Sequence, residues 1–304
     1  MAQRSIGRRG WVLFAAMCVI WGIPYLLIRV AVREVSPSSL VLFRTALAAL
    51  ILLPLALARG ELAPVRRRLL PLAAFAGVEI AVPWIALGTA EQRLSSSLTG
   101  LLIAAVPLVG VVIASTTGAR ERPGRQNLAG LLIGIVGVGA IVGLDVKGAS
   151  ASALAEIALV AVCYAIGPAI LQRWLSDLPS LGVIAASLGL VALVYVPIAG
   201  FSFPTQVPRW SVVASIVGLA VVCTALAFVL FFELIAEAGP VRATVITYVN
   251  PAVAAVLGVT VLSERFTVGM GIGFALVLAG SLLATRATPR ALAEPVAASE
   301  LETA

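Results

Sequence analysis

Long apolar runs separated by short polar breaks fill this chain almost from end to end. They fall near residues 11–31, 38–58, 69–89, 94–116, 127–145, 152–172, 180–199, 210–232, 239–262 and 267–285. A hydrophobic stretch of about 20 residues is the length of a helix that crosses a bilayer, and none of these runs shows the two-residue alternation of a half-buried strand. The pattern predicts an all-α polytopic membrane protein with ten transmembrane helices. Composition agrees, since 61% of the 304 residues are apolar and 12% charged, against a charged share of about 25% in soluble domains. The first run follows Arg4, Arg8 and Arg9 and has the layout of a signal peptide. Its place in an internal repeat assigns it to the retained fold.

Sliding the chain on itself by 144 positions superposes Pro24 on Pro168, Arg29 on Arg173 and Pro107 on Pro251. At an offset of 143, Glu121 meets Glu264, Gly130 meets Gly273 and Gly137 meets Gly280. Ordered coincidences of this kind indicate a duplication. The repeats run over 11–145 and 152–286, joined by a Gly-, Ala- and Ser-rich link from Val146 to Ser152. Residues 287–304 have no apolar period and read as a disordered cytoplasmic tail. Five spans is an odd number, so the two halves cross the membrane in opposite senses. A site between inverted halves can open alternately to either face.

The net charge is +7, but the cations are scattered between apolar runs and not gathered on one face, which excludes nucleic acid as a partner. Their distribution sets orientation. With a cytoplasmic amino terminus, Arg4, Arg8, Arg9, Arg59, Arg66, Arg67, Arg68, Arg120, Arg122, Arg125, Arg173, Arg242, Arg286 and Arg290 lie inside, against Arg29, Arg33, Arg93, Lys147, Arg209 and Arg265 outside. That bias predicts both termini in the cytoplasm. Histidine is absent, and Cys18, Cys163 and Cys223 sit singly in apolar runs. Metal sites, a disulfide framework and histidine-based catalysis are therefore not expected, and no cofactor motif is present.

Counting 1.5 Å per residue from the span ends places Trp21, Pro24, Glu79, Trp84, Pro107, Tyr164, Tyr248, Asn250 and Pro251 near mid-depth. Proline frees backbone carbonyls that lipid cannot satisfy, so polar residues beside such breaks mark a candidate site. Trp21, Trp84, Tyr164 and Tyr248, with Tyr25 beside Pro24, are the candidate aromatic walls; plain packing is the competing reading. Glu79 needs a partner or a proton at this depth, and is the candidate for coupling to protons. Arg44 and Arg29 are candidates to hold an anionic group or to pair with Glu79, with snorkelling as the alternative. Asn250 would orient a solute by hydrogen bonds. Glu121 and Glu264 close the fourth and ninth spans, as ion-pair partners or caps of a neighbouring helix. The Gly130, Gly134, Gly137 and Gly269, Gly273, Gly280 series give faces for close helix packing.

Taken together, Trp21-Gly22 with Arg29, Pro37 followed by Arg44 and Ala48, Pro107, Glu121, the first glycine series, and then Pro251, Glu264, Gly273 and Gly280 resemble the EamA family of the drug/metabolite transporter superfamily. Tyr164-Ala165 stands where that family usually has Trp-Ala, and Arg29 where it often has Lys. The resemblance implies secondary transport of a small-molecule solute, such as an amino acid or another amphipathic metabolite, across an inner membrane. The competing classes are an intramembrane enzyme on a lipid-linked substrate, for which no catalytic constellation is found, and a pore, which would prefer charged rings.

Overall fold

The computed structural model describes residues 7–116, 124–143 and 150–285. Glu121, most of the link and the tail from 287 onward lie outside these residues. Nine described helices are long and apolar enough to cross a membrane: α1 (Arg8–Ala31), α2 (Pro37–Ala58), α3 (Leu62–Glu91), α4 (Ser96–Thr116), α5 (Arg125–Gly143), α6 (Ala151–Trp174), α7 (Ser180–Gly200), α8 (Trp210–Ala238) and α10 (Val268–Thr285). Between the last two runs a shorter apolar helix, α9 (Ile246–Leu262). The fold is all-helical, with two five-helix repeats.

The ninth span, expected over 239–262, is divided. Gly239 has φ +82°, a short turn of helix covers Pro240–Ala243, and α9 proper starts at Ile246. The fourth is divided too, at Ala104-Ala105, into Ser96–Ile103 and Val106–Thr116. α1 breaks at Trp21–Ile23, and Pro24 opens its second piece, a first-turn position where the missing N–H costs nothing. Its repeat partner Pro168 lies inside the unbroken α6, so the paired prolines do not make paired breaks.

In α3 and α8 the helix widens into π-helical turns, at Ala76–Ala81 and Val221–Leu226. These segments stand 145 residues apart, so they occupy equivalent places in the two repeats. The widening absorbs Pro83, which cannot donate, and the hydroxyl of Tyr195 donates to the Ala81 carbonyl at 2.9 Å. Such segments often mark functional sites.

The halves clasp each other instead of packing separately. α5 lies on α10, α2 on α7, α4 on α9, α3 on α6 and α1 on α8. Exchanging the repeats maps this set of pairings onto itself, as a two-fold interface requires. On the α5–α10 seam, added Cβ atoms at Gly130 and Gly280 would strike the facing helix backbone, so glycine lets the two helices touch. Four described ion pairs also cross between halves: Arg9–Glu233 and Arg68–Asp177 at one end of the bundle, Arg93–Glu156 and Arg209–Glu34 at the other. At that second end Ser36, Ser38 and Ser39 form a hydroxyl cluster with Ser202. The outer faces carry exposed Leu50, Leu70, Leu132 and Leu193, as lipid contact requires.

Candidate functional site

Arg44 projects from the middle of α2 and is buried. Its guanidinium carbon lies over the Trp84 ring from α3, 3.6 Å from the ring centre, a cation–π contact that gains strength away from water. Its Nε donates to Thr224 Oγ1 of α8 at 2.9 Å. Thr224 in turn donates to Leu219 O, five residues back, at 2.7 Å. The π-helical turn thus points the threonine into the core, where its lone pair meets the arginine. No described carboxylate lies within ion-pair distance of Arg44, so of the alternatives for this residue a pair with Glu79 is not formed.

Glu79 occupies the fourth position of its own π-helical turn, the place that Thr224 holds in the other repeat. Its Oε2 is buried without a hydrogen-bond partner. The carboxylate lies over Gly167 of α6, where any side chain would collide with it. Tyr164, one turn earlier on α6, is within electrostatic reach of both Glu79 and Arg44 and stands against the Trp84 indole. Arg44, Trp84, Tyr164, Glu79 and Thr224 therefore converge from α2, α3, α6 and α8, two helices from each half. Tyr25 of α1 borders this cluster, within electrostatic reach of Arg44 and Tyr164, and packs on Gly100 of α4.

Four of the expected residues stand elsewhere. Trp21 sits at the α1 break in edge contact with Phe228 and tilted against Phe231 of α8. Tyr248 is half-buried on the first turns of α9. With its side-chain amide oriented so that the nitrogen faces acceptors, Asn250 donates to Cys18 O at 2.9 Å and to Ile246 O at 3.0 Å. Gly22 N turns to Val19 O, so the Cys18 carbonyl has lost its usual helical donor and the asparagine replaces it. Arg29 donates through Nη1 to the main-chain carbonyl of Glu91 at the end of α3, a favourable place for a cation beside a helix carboxyl terminus.

Glu264 caps a neighbouring helix. Both its oxygens accept from the backbone N–H groups of Ser96 and Ser97, each at 2.8 Å, and from their hydroxyls. This fastens the start of α4 in one half to the turn after α9 in the other. Two residues that the sequence did not single out matter here: Thr224 and Glu91. An alignment of the halves at an offset of 145 sets Thr224 opposite Glu79, which is the one signal that marks it.

A family model for the EamA-like transporter family matches residues 8–143 and again residues 152–286. Over 250 residues the chain is 29% identical to the "Uncharacterized inner membrane transporter YedA" of Escherichia coli K12, covering 80% of this chain and 79% of that protein. The proteins of the same name from E. coli O6:H1 and O157:H7 match to the same extent. A solved crystal structure has the same fold, with a TM-score of 0.66 at 20% identity over 91% of this chain and 96% of that one. With both halves matched, the chain belongs to the EamA-like transporter family and is a multi-pass membrane transporter.

Proposed function

We propose that the protein is a secondary transporter of small amphipathic metabolites carrying an anionic group, amino acids among them, working by alternating access. The observation that carries this reading is Arg44: a buried cation that among the described residues bonds to a threonine and has no carboxylate within ion-pair distance. A buried charge without a counter-ion is costly, and a solute anion would supply one. Trp84 and Tyr164 offer apolar walls, and Glu79 a neutral acid or a partner for an ammonium group. Two cross-half ion pairs at each end of the bundle fit an occluded state closed to both faces.

Placement in an inner membrane is supported by the name of the relative YedA, and cytoplasmic termini by the arginine bias. The test is counterflow: protein in liposomes preloaded with a mixture of amino acids or organic acids should accumulate the labelled form of its substrate. Arg44→Ala should abolish that accumulation while the protein remains inserted. Counterflow of cationic solutes alone, unaffected by Arg44→Ala, would overturn the reading.

A further inference from the structure

Glu91 is the last residue of α3 and is fully buried, at 0% exposure, and neither of its carboxylate oxygens has a hydrogen-bond partner. Arg29 is within electrostatic reach of the carboxyl, but its side-chain hydrogen bond goes to the Glu91 main-chain carbonyl and not to the carboxylate oxygens. Glu264 stands on the other side, with its own oxygens committed to Ser96 and Ser97. Tyr25, one turn before Arg29, lies within electrostatic reach of Glu91 and of Arg44.

Among the described residues, the other elements around the end of α3 bring no further counter-charge. Arg44 is the sole ionisable residue of α2 and is bonded to Thr224. α6 offers Glu156, which is paired with Arg93 just beyond α3. The first piece of α4 has no ionisable residue. An ionised Glu91 would set its buried charge beside Glu264, with the Arg29 charge near but no side-chain hydrogen bond to its oxygens, whereas the acid form removes that charge.

We propose that Glu91 is a proton-binding site of this transporter, loaded while the helix ends around it are closed and emptied when α4 and α9 part from α3. On opening, water reaches the carboxyl, the O–H bond breaks, the proton leaves to solvent, and Arg29 swings from the main-chain carbonyl to the new carboxylate. The cap that Glu264 places on Ser96 and Ser97 ties α4 to α9, so the two move away from the end of α3 as one unit. Tyr25 links this site to the Arg44 cluster, so solute and proton would act on the same helix end. The consequence for coupling rests on the transport reading; proton binding itself does not.

Infrared spectra of the full-length protein in lipid test it directly. At neutral pH the wild-type protein should show the carbonyl band of a buried carboxylic acid. That component should be lost in Glu91→Gln and kept in Glu79→Gln. Should the amide variant fail to insert, Glu91→Leu must lose the same component. An acid band equally strong in the Glu91 variants, or a wild-type carboxylate band shifted by sodium, would overturn the proposal. Failure of counterflow with the Glu91 band intact would reject the transport reading alone.

Discussion

Gly137 of α5 and Gly273 of α10 face each other backbone to backbone across the seam between the halves. A Cβ on Gly137 would lie 2.7 Å from the Gly273 carbonyl oxygen, and one on Gly273 would lie 2.6 Å from that of Gly137. Gly130 and Gly280 form the companion contact. Because Gly130 corresponds to Gly273 and Gly137 to Gly280, either contact generates the other when the repeats are exchanged, so two glycines per helix define the two-fold seam.

Side chains at this seam should therefore be destabilising where the same change nearby is not. Gly137→Val forces the helices apart and should lower stability by about 1–3 kcal/mol, the usual cost of overpacking. Gly139→Val, on the same helix with nothing within 4 Å of its added Cβ, should cost much less. Thermal unfolding in detergent compares the two, and equal losses would refute the close approach.

The two cations near the site should separate cleanly. Arg44→Ala removes the stack on Trp84 and the bond to Thr224, and should eliminate transport. Arg44→Lys keeps the charge but not the planar donor set, and should raise the apparent KM more than it lowers the maximal rate. Arg29→Lys can still reach the Glu91 carbonyl and should retain most activity. Comparable losses for Arg29→Lys and Arg44→Lys would remove Arg44 from the solute site.

Glu79 and Gly167 make a contact that a double-mutant cycle can read. Gly167→Ala places a methyl group against the carboxylate and should impair folding or transport, and adding Glu79→Ala should relieve the clash. Glu79→Gln alone should not destabilise the protein, because no arginine is stranded by losing the charge. If Glu79 carries the coupled proton, this variant keeps counterflow but no longer responds to a pH gradient. Losing several kcal/mol in Glu79→Gln would mean that a cation is paired with it after all.

How much of this could be read from residues alone follows their range of interaction. Hydropathy found all ten helices, because membrane insertion depends on local apolar length, but missed bounds of α3, α8 and α9 by six or seven residues where the chain continues or breaks outside the apolar run. The glycine series was legible for the same reason, as regular spacing on one helix face. The π-helical turns were not, since an extra residue in a turn depends on tertiary packing, such as the bond from Tyr195 to the Ala81 carbonyl. Thr224 was overlooked because, apart from its place opposite Glu79 in the repeat, threonine in an apolar run is unremarkable until Arg44, 180 residues away, is seen to bond it. Glu91 was masked by Arg93, whose charge makes the end of α3 resemble a solvated loop, whereas Arg93 turns to Glu156 and leaves Glu91 buried. Asn250 was legible as a mid-depth polar group, but its bond to Cys18 O depends on where α1 breaks.

The ion pairs at the two ends should bias which face opens. Arg93–Glu156, at 2.6 Å, is partly exposed and joins α6 to the end of α3. Such a pair is worth roughly 0.2–1 kcal/mol, and a shift at the upper end changes a two-state ratio about 5-fold. Arg93→Glu sets two carboxylates against each other and should favour the state open at that end, which the arginine bias assigns to the outside. In a background with Cys18, Cys163 and Cys223 replaced, Ala165→Cys beside Tyr164 is the reporter. An impermeant thiol reagent added outside should modify it about 5-fold faster in Arg93→Glu, and at the original rate once Glu156→Arg restores the pair. A faster reaction from the inside would reverse the assigned orientation, and equal rates in all three would show that this contact carries no part of the gate.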